Sequence, residues 1–259
     1  TRPNYTIPCG YFNLIDRIQT YLPNQPITLI SKKHHEPFLK KHYPKLAVNF
    51  LNKSLPTLFL NGACYYSKQQ LQSIINAIQS DKNHLFIHQS SIIGIFSLHD
   101  NNESVFNQII KVPSFDEILK ITRDVSVVED IPNIIYHEHW WNYIQHLSSS
   151  LNQDFDDYPK KSFIEGHVSG LAQLNNDHNM FISRDATISD FVVLNANQGS
   201  IYIDDHVVIE PFSYIEGPCY IGSHTTIKPQ SQISNAFIGK HCKIGGEVSN
   251  SIIQNYSNK

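Results

Sequence analysis

The sequence is poor in the features that mark membrane proteins and nucleic-acid-binding proteins. No apolar run approaches the roughly 20 residues that a helix needs to cross a bilayer. Charged residues make up 17% of the 259 residues and the net charge is −3, so the overall charge gives no reason to expect binding to nucleic acid or to a membrane. Residues 1–4 contain neither an initiator methionine nor a signal-peptide core. We therefore expect a cytoplasmic protein whose chain begins inside a longer open reading frame, with no membrane or nucleic-acid partner.

Cysteine and clustered glycine are equally scarce. The four cysteines, at positions 9, 64, 219 and 242, show no C-x-x-C spacing, which argues against a disulfide framework and against a zinc site. Small buried thiols of a reducing compartment are the better interpretation. Gly10, Gly62 and Gly94 stand alone in the N-terminal half, so that half contains neither a G-x-G-x-x-G motif nor a Walker loop.

One cluster of metal-binding side chains is the histidine pair at 137 and 139. Histidines two residues apart share a face only on a strand, whereas the residues that follow have helical spacing. A structural interpretation is therefore preferred, in which Trp140 and Trp141 clamp the connecting helix.

A second cluster is the acidic run of Asp154, Asp156 and Asp157, which could bind Mg²⁺. The surrounding segment, 151–167, is polar, so an exposed acidic connector between domains is the more economical interpretation. No metal site is predicted from either cluster.

The strongest pattern is a six-residue repeat. Isoleucine occupies positions 203, 209, 215, 221, 227 and 233, and resumes after a one-residue deletion at 238 and 244. Upstream, positions 182, 188 and 194 keep the same step before an insertion at 195–200. Period-2 alternation puts a second set of residues, two places earlier, on the same inward face: Ala186, Val207, Ser213, Cys219, Thr225, Ser231 and Cys242. Short strands joined by turns stack such residues in columns, so the repeat predicts a parallel β-helix over 182–252.

Histidine recurs with the period expected for one coil of three six-residue units. His206 and His224 are separated by one such coil, and His241 follows after another that is shortened by the deletion. A turn that tolerates the left-handed backbone conformation explains these histidines, and a stacked column that binds a metal or senses pH is the sharper alternative. The turn is preferred because no carboxylate or cysteine joins the column at ligand spacing.

The N-terminal half alternates helical and strand patterns, which predicts an α/β sheet with helical cover. The predicted elements are a helix carrying Tyr11, Leu14, Ile15, Ile18 and Leu22, strands at 27–30 and 57–60, a helix capped by Ser67 and Gln70, and a strand pair at 84–88 and 91–96. We place an α/β domain at 1–150, a connector at 151–180 and the β-helix at 181–259.

These features together resemble the bifunctional N-acetylglucosamine-1-phosphate uridyltransferases, and especially their sugar-nucleotidyltransferase-like relatives. The sequences GPCYIG at 217–222 and GGEVSNSII at 245–253 look like consecutive family motifs, and residues 1–3 are similar to the end of the segment after the family's first strand. The resemblance covers almost the whole chain. It implies an α/β nucleotidyltransferase-like domain, here without its first strand and loop, followed by a left-handed hexapeptide β-helix that forms homotrimers.

The resemblance also implies site positions, with two departures. Many sugar nucleotidyltransferases have a Pro-Lys pair whose lysine meets phosphate, where this sequence has Pro3 and Asn4. After a central strand they carry a metal-binding Gly-Asp where this sequence reads Asn61, Gly62 and Ala63, and Asn61 stands where the metal ligand is expected. Both losses weaken the stabilisation by cations and Mg²⁺ on which phosphoryl transfer relies. Arg2, Asn4, Asn61 and Gly62 are the implied substrate or phosphate-binding residues, and no catalytic residue is identified.

Three functions are compatible with the resemblance. The leading one is a sugar-1-phosphate nucleotidyltransferase of cell-envelope polysaccharide biosynthesis, acting with Mg²⁺ on a nucleotide sugar or sugar phosphate. The second is an acyltransferase that binds acetyl-CoA in clefts between neighbouring β-helices, lined by Tyr256, Asn258 and Lys259. The third is a catalytically inactive sugar-nucleotide-binding or scaffolding module, which the missing lysine and aspartate favour over the first.

Overall fold

The computed structural model describes residues 2–52, 54–78, 81–89, 91–98, 103, 127–157 and 163–259. The chain divides into two units: residues 1–7 with 14–136, and residues 8–13 with 137–259. Within the described residues, no helix is both long enough and apolar enough to cross a membrane.

The helices of the described chain are short. They are α1 (Leu14–Tyr21), α2 (Glu36–His42), α3 (Lys68–Ala77), α4 (Trp140–Gln145) and α5 (Leu147–Asp157), with 3-10 turns at Asn4–Thr6, Lys33–His35 and Asp177–Asn179. The strands of the first unit are β1 (Thr28–Leu29), β2 (Ala47–Val48), β3 (Thr57–Leu60), β4 (Cys64–Tyr65), β5 (His84–His88), β6 (Ser91–Ser97), β7 (Val127–Asp130) and β8 (Ile135–Tyr136).

A mixed sheet with the strand order β3-β6-β5-β7 forms the centre of the first unit. Strand β6 runs antiparallel to β3 and β5, which confirms the predicted strand pair, and β7 runs parallel to β5. Helix α3 starts with the predicted capping box, in which Ser67 Oγ accepts from the Gln70 N–H and Gln70 Oε1 accepts from the Ser67 N–H. Its apolar stripe buries Leu71 and Ile74 in the same core cluster as Phe86 of β5.

The second unit is built from short parallel strands that stack in columns. They are β9 (Phe163–Ile164), β10 (His167–Val168), β11 (Gln173–Asn175), β12 (Met180–Ile182), β13 (Thr187–Ile188), β14 (Val193–Asn195), β15 (Ile201–Ile203), β16 (Val208–Ile209), β17 (Tyr214–Ile221), β18 (Thr226–Ile227), β19 (Gln232–Ile238), β20 (Lys243–Ile244) and β21 (Glu247–Ile253). The pairing already includes β9, so the coil begins closer to the N-terminus than the predicted start at 181.

The register of these strands confirms the predicted coil. Val208 pairs with Thr226, three repeats further along the chain, and Thr226 pairs with Lys243, which comes one position early because of the deletion. The coil that separates Thr187 from its partner Val208 is longer, because the insertion at 195–200 lies within it. The repeat therefore folds as the stacked parallel sheets of a hexapeptide β-helix.

The core of the coil consists of the two predicted inward-facing sets. The isoleucines of the repeat are at most 1% exposed. The hydroxyls among the second set are satisfied by main-chain carbonyls: Ser213 Oγ donates to Glu210 O (2.8 Å), Thr225 Oγ1 to Gly239 O (2.8 Å) and Ser231 Oγ to Lys228 O (2.6 Å). These hydrogen bonds allow polar residues in the core without an unpaired group.

One face of the coil carries an aromatic ladder that the sequence analysis missed. The ladder consists of Phe163, Phe181, Tyr202, Tyr220 and Phe237, and ring centroids of successive members are 4.4–5.9 Å apart. Helix α5 covers it with Leu147, Leu151 and Phe155. The ladder explains why the apolar side of α5 packs on this unit.

Tyr11 and Asp154 depart from their predicted roles. Tyr11 lies outside α1, and its ring packs 4.8 Å from Tyr202 and 5.1 Å from Tyr220 in the second unit. Its N–H donates to Asp154 Oδ2 at 2.7 Å. Asp154 is fully buried in α5, so the prediction of an exposed acidic connector is wrong at this residue. The hydrogen bond from the Tyr11 N–H offsets part of the cost of burying this carboxylate.

We expect Gly10→Ala to destabilise the second unit by roughly 2–4 kcal/mol, from backbone strain and a disturbed hydrogen bond to a carboxylate. Gly10 has φ +76°, and an added Cβ would collide with Asp154 Oδ2 and lie 2.9 Å from Ser150 O. Gly170→Ala is the matched control, because a Cβ there meets no atom within 4 Å. Urea denaturation checks both variants, and equal midpoints would contradict the packing described for residues 8–13.

Candidate functional site

The first predicted phosphate-binding residues lie at the start of the first unit. Arg2 is half-buried, Pro3 is buried and Asn4 is exposed. Residues Asn4–Thr6 form a 3-10 turn in which the Thr6 N–H and Thr6 Oγ1 both donate to Pro3 O, at 3.1 and 2.7 Å. The turn fixes the backbone here and leaves the Asn4 side chain at the surface.

The second predicted pair, Asn61 and Gly62, directly follows β3. Asn61 O accepts the Cys64 N–H (3.1 Å), and Asn61 Oδ1 accepts the Ala63 N–H (3.0 Å). Its Nδ2 donates to Ile92 O at 2.8 Å. This is the local hydrogen-bonding pattern by which asparagine builds turns. The amide at the implied metal-ligand position therefore holds the turn and ties it to β6.

Tyr5 brings the two predicted segments together. A Cβ on Gly62 would lie 2.7 Å from Tyr5 Cδ1, so the glycine is required for the ring to pack on this turn. Tyr5 OH donates to Ile30 O at 3.1 Å, and burial raises the pKa of Tyr5 to about 12. Asn4, next to Tyr5, and the Asn61–Gly62 turn therefore belong to one edge of the first unit, which we call the Tyr5 edge.

Arg17 in α1 is a buried cation that the sequence analysis did not single out. It is 1% exposed, and its guanidinium carbon lies 4.2 Å from the centre of the Tyr65 ring. A desolvated guanidinium over an aromatic face is stabilised by the ring quadrupole. Its position among apolar residues of the α1 stripe was the only signal in the sequence.

The three residues implied for an acyl-CoA cleft lie in the last coil. Asn258 forms an isolated parallel β-bridge with Lys243, and Lys259 Nζ donates a hydrogen bond to Glu247 O. Tyr256 is 78% exposed. Lys259 thus serves the coil's own hydrogen bonding, whereas Tyr256 presents its ring to the surface.

The predicted turn explanation for the three histidines is confirmed. His206, His224 and His241 have φ values of +55°, +59° and +55°. Their rings stack at 4.7 Å, and Tyr256 continues the stack 5.0 Å from His241. The residues form one corner of the coil, where left-handed backbone is needed.

The histidine pair at 137 and 139 does not converge. His137 is buried and lies 3.4 Å from Cys9 Sγ, whereas His139 is exposed and stacks on Trp141 at 4.4 Å. The predicted clamp by Trp140 and Trp141 is wrong, because the two side chains are 61% and 57% exposed. Tyr143, which is buried, faces inward from α4 instead. Across the described residues, no group of three or more His, Cys, Asp or Glu is arranged to hold a metal ion.

Two sequence families match this chain. The family described as Sugar nucleotidyl transferase matches residues 1–162, which include the Tyr5 edge. The family described as Bacterial transferase hexapeptide (six repeats) matches residues 200–235, within the parallel coil. No curated protein matches the chain.

Proposed function

Because this chain belongs to the sugar nucleotidyl transferase family, we propose that its first unit binds a nucleotide sugar or a sugar 1-phosphate at the Tyr5 edge. The observation that supports this most directly is the packing of Tyr5 on Gly62. It brings together two segments, distant from each other in sequence, that the family resemblance implies for the site. Arg2 supplies the positive charge, and a guanidinium can bind phosphate oxygens in a bidentate manner.

We propose that this unit recognises its sugar substrate better than it transfers a nucleotide. Mg²⁺ in nucleotidyl transfer is usually held by one or two carboxylates together with substrate phosphates. Asn61 is neutral, and its side-chain amide is already hydrogen-bonded to the backbone of Ala63 and Ile92. An aspartate at this position would have no N–H group to donate to Ile92 O. The asparagine therefore stabilises the turn but supplies no carboxylate for a metal ion.

Calorimetric titration with a panel of nucleotide sugars and sugar 1-phosphates tests the binding. We expect Arg2→Gln to weaken binding at least about tenfold, since a hydrogen bond to a charged group contributes roughly 1.5–3 kcal/mol. Arg184→Gln is the matched control, because Arg184 is an exposed arginine of the coil paired with Glu165. Equal affinities of the two variants, or no binding by the native chain at millimolar ligand, would refute the proposed site.

The same protein, given Mg²⁺, a sugar 1-phosphate and each nucleoside triphosphate, distinguishes binding from transfer. We expect pyrophosphate release far below ordinary enzymatic rates of ~1–10³ s⁻¹. Turnover in that range would show that other residues of this unit hold the metal and that Asn61 is not at the metal position.

A second candidate function is acyl transfer by the coil, supported by the hexapeptide transferase match. In this proposal acetyl-CoA lies against the last coil, near Tyr256, Asn258 and Lys259. An assay of thiol release from acetyl-CoA with amino-sugar acceptors tests it. Release that does not depend on the acceptor would exclude transfer.

We also propose that the coil assembles as a homotrimer. Its aromatic ladder face is occupied by α5, so other surfaces must make the contact. Phe191 and Phe212 stack with ring centroids 5.2 Å apart at an interplanar angle of 8°, and they are 51% and 60% exposed. We call this pair the phenylalanine corner. An exposed apolar corner on two adjacent coils suits a contact with a second and third copy of the same chain.

A further inference from the structure

The four thiols of this chain differ in their surroundings, although all are buried and none forms a disulfide. Cys219 Sγ donates to Glu216 O at 3.0 Å, and Cys242 Sγ donates to Gln254 O at 3.2 Å. Burial raises the pKa of Cys64 and of Cys219 to about 12. Cys64 and Cys219 therefore lie in buried surroundings that favour the protonated form.

Cys9 is the thiol that lies beside a base. Its Sγ is 3.4 Å from His137 Nε2 and 3.3 Å from Ser150 Oγ. His137 is held in place by stacking on Tyr143 at 4.0 Å. An imidazole can accept the thiol proton, and a hydroxyl can donate to the resulting thiolate, which is the arrangement that activates cysteine in reactive sites.

We propose that Cys9 is a modification site for small electrophiles and peroxides. In the tautomer with its proton on Nδ1, His137 accepts the thiol proton at Nε2, and the sulfur attacks the electrophile. With iodoacetamide, a sulfur–carbon bond forms, the carbon–iodine bond breaks and iodide leaves. With hydrogen peroxide, a sulfur–oxygen bond forms and the oxygen–oxygen bond breaks, giving a sulfenic acid and water once the imidazolium returns its proton. This site is independent of the proposed sugar-phosphate function.

The position of Cys9 gives the modification a structural consequence. Cys9 closes a tight turn, in which its N–H donates to Phe12 O at 3.0 Å, and the next residue is the left-handed Gly10. Tyr11 in this turn packs on the aromatic ladder. A group added to the sulfur must lie where Ser150 and His137 now touch it, so it displaces the turn from α5.

The experiment is competitive alkylation of the native chain with a limiting amount of iodoacetamide near neutral pH. Peptide mass spectrometry then gives the rate at each of the four cysteines. We expect Cys9 to react at least about tenfold faster than Cys64 and Cys219, since reactivity follows the thiolate fraction even after the lower nucleophilicity of an acidic thiol is allowed for.

His137→Asn tests the role of the base. We expect it to slow alkylation of Cys9 about tenfold near neutral pH and to move the midpoint of the rate's pH profile upward, whereas a purely packing role would leave the profile unchanged. His146→Asn is the control, because the His146 ring meets the His137 ring edge-on at 5.9 Å. If His137→Asn does not fold, Ser150→Ala replaces it. The order of the alkylation rates of the four cysteines in the native chain is a second test that needs no variant. Cys9 reacting no faster than Cys219, or faster in His137→Asn than in the native chain, overturns the proposal.

Discussion

Ile227→Ala is expected to lower the free energy of unfolding of the coil by about 2–5 kcal/mol, the usual range for such truncations in a packed core. Ile227 is completely buried. In the sheet it pairs with Ile209 on one side and with Ile244 on the other. The coils above and below are fixed by the strand ladder, so the surrounding side chains cannot collapse into the cavity. Urea denaturation followed by circular dichroism measures the change.

Val208→Ala provides the comparison for this substitution. Val208 lies in the same sheet column but points outward and is 36% exposed. Its truncation removes two methyl groups without opening a cavity, so we expect a loss of less than about 1 kcal/mol. Equal denaturation midpoints for Ile227→Ala and the native chain would mean that the inward and outward positions of the repeat have been exchanged.

Phe212→Glu is expected to convert a trimer of about three times 29.7 kDa into the monomer of 29.7 kDa. Phe212 stacks on Phe191 and is 60% exposed in the single chain. A carboxylate at a contact between copies must lose its hydration without gaining a partner, and in a threefold assembly this penalty applies three times. Since the substituted position is already solvent-exposed in the monomer, the fold of the coil itself remains stable. Multi-angle light scattering at micromolar concentration measures the mass.

Phe50→Glu is the matched control for assembly. Phe50 is 61% exposed, slightly more than Phe212, but it belongs to the first unit. We expect this variant to keep the mass of the native protein. A native chain that already runs as a monomer at micromolar concentration would contradict the proposed trimer, and a Phe212→Glu variant that keeps the trimer would remove the phenylalanine corner from the interface.

The coil was predictable because its information is local. An isoleucine in each six-residue repeat indicates which side chains face inward. Stacking of equal coils then buries these side chains. Even the histidines could be assigned to a turn, because a left-handed backbone position repeats with the coil. The strand at 57–60 and the capping box at Ser67 were predictable for the same reason, since each depends on neighbours within a few residues.

Contacts between distant segments could not be predicted in this way. Tyr11 continued the apolar stripe of α1 in the sequence, yet it packs on Tyr202 and Tyr220, because Gly10 turns the chain before the helix begins. Asp154 was predicted to belong to a polar linker, but it is buried, and its carboxylate accepts a hydrogen bond from the Tyr11 N–H. The sequence contains no periodic signal for a partner that lies so far away along the chain.

The candidate site shows the same division. Arg2, Asn4, Asn61 and Gly62 were found by comparing motifs, which identifies residue types without locating them in space. Only the fold decided that Tyr5 lies against Gly62, that the Asn61 amide is bound to the turn, and that Cys9 lies beside His137. The sequence by itself determined the repeat, its inward-facing residues and the short-range caps and turns, because these follow from spacing along the chain. The tertiary structure alone decided which polar groups meet, because a hydrogen bond between distant residues depends on the packing of every element between them.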